Sequence, residues 1–175
     1  MAVALFVRFE DPARRRRDAT GLVANATDVR LVRVQHRVFY TVLLAAPVEW
    51  WWRGRPAAWT QLLGAAVFLA GVVGYRVVGA ALGDQLSPLV APREPARLID
   101  DGPYRRVRHP MYVAELTIAT GAPLTLGARV SLLLALAFAA VVVYRMAVEE
   151  RALRARIPEY AAYAARTYRL IPYVY

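Results

Sequence analysis

Cysteine and lysine do not occur in this sequence of 175 residues, and histidine occurs only twice. Without cysteine the chain cannot form disulfide bonds, use a thiolate as a nucleophile or bind a metal through sulfur. Two histidines are too few for a multi-histidine metal centre. All 23 basic residues are arginine. We attribute this to a coding bias that also favours alanine and valine, rather than to phosphate recognition.

The chain combines a large hydrophobic fraction with a large positive charge. Hydrophobic residues make up 58% of it, and 23 arginines against 13 acidic residues give a formal net charge of +10. A soluble basic domain places such charges over its surface, whereas a small membrane protein concentrates them in its cytoplasmic loops. The apolar segments therefore favour a membrane protein with a lipid environment, and we expect no nucleic-acid partner.

Four apolar segments approach or exceed the roughly 20 helical residues that cross a bilayer. They are residues 38–52, 59–83, 111–126 and 129–149. Trp50, Trp51 and Trp52 end the first segment and predict a membrane interface there. The third and fourth segments are joined by a short stretch rich in glycine and proline, which predicts a helical hairpin.

The distribution of arginine predicts the orientation of these segments. Eight arginines precede the first segment, five lie between the second and third, and five follow the fourth, whereas the two short turns hold three. The positive-inside rule then places both termini and the long connection in the cytoplasm. The sequence thus predicts an all-α integral protein of the cytoplasmic membrane with about four transmembrane helices.

We expect three regions along the chain. Residues 1–35 form a basic cytoplasmic N-terminal segment, and residues 36–83 form a pair of transmembrane helices. Residues 84–175 contain the helical hairpin and a C-terminal amphipathic helix, and they carry the two motifs that suggest chemistry. The tyrosine-rich tail, residues 158–175, is expected to close the cytoplasmic side of a pocket.

The first motif is "DGPYRRVRHPMY", residues 101–112. Pro110 suits the first turn of the third helix, which places His109 beside the N-terminus of that helix. Helix N-termini favour anions because their backbone N–H groups are unpaired. The motif therefore predicts an anion-binding site, although a solvated loop histidine is the commoner explanation of such a residue.

The second motif is "YRMAVEERALR", residues 144–154, at the end of the fourth segment. Arg145 and Glu149 are four residues apart and share one helix face. Ionisable residues at membrane depth are costly and usually functional. The alternative is an Arg145–Glu149 pair that only reaches towards the membrane surface.

The order of these blocks, "GPYRRVRHPMY", an apolar hairpin, "RMAVEERAL" and "PEYAAYAARTYRLIP", resembles the isoprenylcysteine carboxyl methyltransferase family over roughly residues 84–172. The resemblance implies an integral membrane methyltransferase that uses S-adenosyl-L-methionine, releases S-adenosyl-L-homocysteine and binds the cofactor in a cytoplasmic pocket. The composition suggests a bacterial member. The implied cofactor-binding residues are Ala96, Arg97, Leu98, Ile99, Tyr104, His109, Pro110, Met111, Tyr112 and Glu149.

The resemblance also implies how the acceptor is handled. Arg145 would contact the acceptor, and Arg145 and Glu149 would be the catalytic pair. We expect a lipophilic acceptor that is reached from the bilayer, with a carboxylate as the leading nucleophile, because a carboxylate needs only an arginine to place it. An oxygen or nitrogen nucleophile that must lose a proton would need a base, for which Glu115 or Glu149 is the candidate.

Two other functions fit the same sequence. Membrane sterol reductases carry a similar Arg-His-Pro element and use NADPH, and the arginines of residues 93–108 would suit a dinucleotide. A membrane protein without catalytic activity could also retain this scaffold. The Arg145 and Glu149 pair favours the methyltransferase over the reductase.

Overall fold

Helices account for nearly all of the regular structure in residues 26–54, 56–83 and 98–173, the parts of the chain that the computed structural model describes. The helices are α1 (Ala26–Arg53), α2 (Ala58–Leu82), a short 3₁₀ helix (Gly102–Arg105), α3 (Pro110–Leu126), α4 (Arg129–Arg156) and α5 (Tyr160–Ala165). This confirms the predicted all-α class. Within the described ranges, β-type pairing is limited to one isolated parallel bridge between Val107 and Tyr168.

The local sequence explains where the hairpin helices begin and end. Pro110 occupies the first turn of α3, where its missing N–H costs nothing. Gly127 ends α3 with a left-handed φ of 65°, and its N–H bonds back to the carbonyl of Leu124. Such a left-handed residue closes a helix at little cost only when it is glycine. Helix α4 follows almost at once, as the hairpin prediction requires.

Helices α2 and α3 run antiparallel and touch through their backbones. A Cβ added to Gly64 would lie 2.2 Å from the backbone nitrogen of Thr125, and one added to Gly121 would lie 2.4 Å from that of Phe68. A Cβ added to Gly71 would lie 2.8 Å from the backbone nitrogen of Ile118. Small residues allow this approach, which replaces side-chain packing by contact along the helix backbone.

Helices α1 and α4 also run antiparallel, but side chains join them. The rings of Phe39 and Phe138 lie 5.2 Å apart between their centroids. The Glu49 carboxylate accepts hydrogen bonds from the backbone nitrogens of Val130 and Ser131, at 3.0 and 3.1 Å. A carboxylate of α1 thus caps the N-terminus of α4.

Helix α3 is the centre of the bundle, since it packs against α1, α2 and α4. Alternating directions bring the start of α1, the end of α2, the start of α3 and the end of α4 to one end of the bundle, called here the motif end. The opposite end carries the tryptophans, of which Trp51, Trp52 and Trp59 are 80%, 82% and 68% exposed. Exposed tryptophan is expected at a membrane interface.

Two of the four long helices, α2 and α4, are long and apolar enough to cross a membrane. Only 11% of the most apolar part of α2 is buried inside the protein, so its apolar side chains mostly face outwards, unlike those of a soluble core helix. Helix α3 has 17 residues and is about 26 Å long, which is short of a full span. Helix α1 begins at Ala26, well before the apolar segment predicted from residue 38.

Candidate functional site

The two sequence motifs meet at the motif end of the bundle. The hydroxyl of Tyr112, in the first turn of α3, donates a hydrogen bond of 2.6 Å to Oε2 of Glu149, near the end of α4. The His109 ring stacks on that of Tyr112, with 5.5 Å between centroids. Residues of the two motifs are therefore in direct contact.

Arg145, Glu149 and their neighbours form a group that we call the inner polar cluster: Gln35, Tyr112, Glu115, Arg145 and Glu149. Arg145 is 5% exposed, and its guanidinium carbon lies 5.7 Å from the centre of the Tyr112 ring. Its Nη1 donates to Oε1 of Gln35, whose Nε2 donates in turn to Oε2 of Glu115 at 2.6 Å. Three helices therefore contribute to one polar network inside the bundle.

A second group lies beside the first and is called here the ion cluster: Arg108, His109, Glu150, Arg154 and Arg169. Glu150 is 1% exposed and is its only acidic member. Its Oε1 accepts from Nε of Arg108 at 3.0 Å and lies 3.4 Å from Nε2 of His109. Its Oε2 lies 3.2 Å from Arg169 and 3.4 Å from Arg154. The carboxylate is thus surrounded by cationic or protonatable groups.

The ion cluster fixes the C-terminal tail against the first motif. Nη1 of Arg108 donates to the carbonyl of Ala164 at 2.7 Å and also to that of Thr167. Backbone bonds join Arg108 to Tyr168 and His109 to Arg169, at 2.7 and 3.1 Å. The tail therefore runs alongside the Arg-Arg-Val-Arg-His stretch.

His109 has a different neighbour from the one that the sequence suggested. We predicted that it would hold an anionic group of a ligand, but it is 5% exposed and faces the Glu150 carboxylate. A buried imidazole next to a carboxylate is held in place by it. Its direct contact with a ligand stays a prediction, and its visible role is to join the ion cluster to Tyr112.

The other predicted cofactor residues are spread around the motif end. Tyr104 is buried, and its carbonyl accepts a hydrogen bond of 2.7 Å from the Tyr163 hydroxyl. Burial and the nearby Glu149 carboxylate raise the pKa of Tyr104, so its hydroxyl stays protonated. Leu98 packs against the cluster of Ile157, Tyr160 and Tyr163. The remaining predicted positions are half-buried: Ile99, Pro110 and Met111. Ala96 and Arg97 lie outside the described residues.

Sequence reasoning missed the residues that anchor the two clusters. Glu150 was visible as half of the Glu-Glu pair, but neighbouring residues on a helix point about 100° apart, so only one of the two can face Tyr112. Arg108 was counted as a loop charge. The role of Gln35 could not be predicted, because a single glutamine near the start of an apolar helix belongs to no recognisable motif.

The chemistry available in the inner polar cluster follows from its composition. It contains two carboxyl groups and one guanidinium, so it offers acceptors to a ligand that carries N–H or O–H donors. Tyr112 presents an aromatic face to a cation, as its contact with Arg145 already illustrates. Glu149 is half-buried, so this residue is not sealed inside the protein.

Two comparisons with known proteins give matches. A family model described as phospholipid methyltransferase matches residues 59–157, which are more than half of the chain. The cobalt-zinc-cadmium resistance protein CzcN of Cupriavidus metallidurans is 37% identical over 84 residues, which make up 47% of this chain and 39% of that protein. The matched part therefore spans well under half of the length of that relative.

The family match covers α2 except its first residue, and all of α3 and α4, including Tyr112, Arg145 and Glu149, while α1 lies outside it. The motif resemblance and the match thus overlap on α3 and α4. The chain belongs to the phospholipid methyltransferase family, the family of membrane methyltransferases that its isoprenylcysteine carboxyl methyltransferase-like motifs predicted.

Proposed function

We propose that the protein uses S-adenosyl-L-methionine to methylate a lipophilic acceptor that reaches the site from the bilayer. The observation that carries the proposal is the Tyr112–Glu149 hydrogen bond beside Arg145, on helices that match a methyltransferase family. It joins a residue of the first motif to a residue of the second in one polar site at the motif end. The two apolar helices and the family support a membrane location.

We propose further that the motif end faces the cytoplasm. The described arginines concentrate there, whereas the opposite end carries the exposed Trp51, Trp52 and Trp59. The positive-inside rule favours this orientation. In this arrangement α1 and α3 join α2 and α4 as membrane-embedded helices, and the short α3 is shielded by its three neighbours.

The residues of the motif end fit the proposed cofactor. Tyr160 is 2% exposed, and its hydroxyl has no hydrogen-bond partner among the described residues, which is costly unless a ligand supplies one. The Glu149 carboxylate is an acceptor for ribose hydroxyls or an ammonium group. Tyr104 and Tyr112 offer aromatic faces to adenine or to a sulfonium. We assign the four residues to cofactor binding.

When bound, the cofactor supplies a methyl group on a sulfonium: the acceptor's lone pair forms the new bond, and the electrons of the broken C–S bond remain on sulfur. The protein's contribution is alignment and the exclusion of water. Arg145 would place an acceptor carboxylate, which has no proton to lose. For an amine or hydroxyl, Glu115 or Glu149 would accept the proton.

The packing of the helices suggests where the acceptor enters. Helix α2 packs on α3, and within the described residues no extensive contact joins α2 to α4. A lipophilic molecule could therefore pass from the bilayer between α2 and α4 towards Arg145. Membrane lipids are then both the environment and the source of the substrate.

Ligand titration of the purified protein in detergent tests the proposal. S-adenosyl-L-homocysteine should raise the unfolding temperature, because a ligand that binds only the folded state stabilises it. NADPH should not. A shift with NADPH alone would indicate the reductase, and no shift with either would indicate a non-catalytic scaffold. Incubation with methyl-labelled cofactor and a bacterial lipid extract should then yield a labelled lipid.

The variant Arg145→Ala separates binding from transfer. We expect it to keep the shift with S-adenosyl-L-homocysteine and to lose lipid labelling by about 100-fold, since it removes only the group that places the acceptor. Arg76→Ala is the matched control, because Arg76 is an exposed arginine of α2. Equal labelling by Arg145→Ala and the control would refute the assigned role.

A further inference from the structure

The residue that orients Arg145 comes from a part of the chain that the family match does not include. Gln35 lies on α1, whereas the match begins at residue 59. Its side chain is 2% exposed, so it is among the most buried polar groups of the described structure. It contacts Arg145 of α4 and Glu115 of α3 at once. One amide therefore links three helices inside the candidate site.

The two contacts allow only one orientation of the amide. A guanidinium has donors alone, so it must meet the amide oxygen, which leaves the amide nitrogen to donate to Oε2 of Glu115. Turning the amide over would set its NH₂ group against the guanidinium donors. Gln35 is thus fixed by Glu115 on one side and fixes Arg145 on the other.

Tyr112 and Gln35 both restrain the guanidinium of Arg145. The Tyr112 ring lies beneath it at 5.7 Å, and the Gln35 oxygen accepts from Nη1. A long side chain with several rotatable bonds would otherwise sample many positions in the site. Charge-assisted hydrogen bonds within a buried site are strong enough to select one of them.

We infer that Gln35 is a positioning residue for the acceptor: by relaying the orientation of Glu115 to Arg145, it holds the guanidinium where the acceptor's nucleophilic group must dock. This rests on the proposed function. It extends the site to α1 and predicts that acceptor recognition, but not cofactor binding, depends on residue 35. For a carboxylate acceptor, which needs no base, Glu115 then acts through Gln35.

The test compares Gln35→Met with Gln61→Met. Methionine has a similar length and no hydrogen-bonding amide, and Gln61 is a half-buried glutamine of α2 towards the opposite end of the bundle. The apparent KM for a bacterial lipid extract and the KM for S-adenosyl-L-methionine are measured with labelled cofactor. For Gln35→Met we expect the first to rise about tenfold and the second to stay within about twofold. Gln61→Met should change neither.

A second variant keeps the test decisive if Gln35→Met does not fold. Gln35→Asn retains an amide but is one methylene shorter, so it cannot reach both partners, and the KM for the lipid extract should again rise. Unchanged lipid KM in a folded variant overturns the inference. So does a parallel loss of S-adenosyl-L-homocysteine binding, which would mark Gln35 as structural. Wild-type protein that labels no lipid overturns the proposed function, and this inference with it.

Discussion

Glu149 and Glu150 are neighbours in the sequence, yet they belong to two different regions. Glu150 lies at the centre of the ion cluster, 1% exposed and within 3.4 Å of Arg108, His109, Arg154 and Arg169. Glu149 belongs to the inner polar cluster, where it is half-buried and accepts a hydrogen bond from Tyr112. Two identical side chains therefore have different partners: several basic groups surround Glu150, whereas a tyrosine hydroxyl contacts Glu149.

The difference shows how one helix end can serve structure and chemistry together. The ion cluster has one carboxylate among three arginines, so its carboxylate is fully used in holding the first motif, α4 and the tail together. The inner polar cluster has two carboxylates and one arginine, which leaves acceptor capacity for a cationic ligand. We therefore expect substitutions of Glu150 to act on stability and those of Glu149 to act on binding.

The largest loss of stability is expected from Glu150→Gln. It removes the only carboxylate of the ion cluster and leaves the buried Arg108, whose side chain is 9% exposed, without its ion pair. Breaking a buried pair by removing one partner costs about 3 kcal/mol of unfolding free energy. Thermal unfolding in detergent measures it, with Glu159→Gln at an exposed glutamate as the control. Equal stability of the two variants would mean that the ion cluster does not hold the fold.

Glu149→Gln should weaken ligand binding and leave stability nearly unchanged. The amide can still accept the Tyr112 hydrogen bond, so stability should stay near that of the wild type. The lost charge should weaken S-adenosyl-L-homocysteine binding by about tenfold or more, as expected for a hydrogen bond to a charged group. Isothermal titration measures the affinity. If the variant binds as tightly as the wild type, Glu149 does not hold the cofactor and the contrast between the two glutamates fails.

The smallest loss of stability is expected from Arg154→Gln, which tests whether an exposed member of the ion cluster contributes to the fold. Arg154 contacts Glu150 at 3.4 Å, but its side chain is 49% exposed. Solvent screens such a pair, so the loss of unfolding free energy should be below about 1 kcal/mol. Arg156→Gln, at an exposed position of the same helix, is the matched control. A loss as large as that of Glu150→Gln would place Arg154 among the essential partners.

The helical hairpin and the meeting of the two motifs were predictable from the sequence. Pro110 fixed the start of α3, Gly127 allowed its end, and both act within a few residues of themselves. The number of spans was less predictable, because α3 is shorter than a bilayer and α1 contains polar residues as well as an apolar segment. The cofactor roles and the cytoplasmic orientation stay predictions.

By itself, the sequence determined the helical class, the helix boundaries set by proline and glycine, and the family to which the chain belongs. Those features depend on local backbone preferences and on the order of motifs along the chain. Only the tertiary structure decided that Glu150 joins the tail to the first motif and that Gln35 of α1 reaches Arg145 of α4. The physical reason is that a buried polar side chain needs a hydrogen-bond partner that is close in space. The partners here lie on other helices or in the tail, so no spacing in the sequence predicts them.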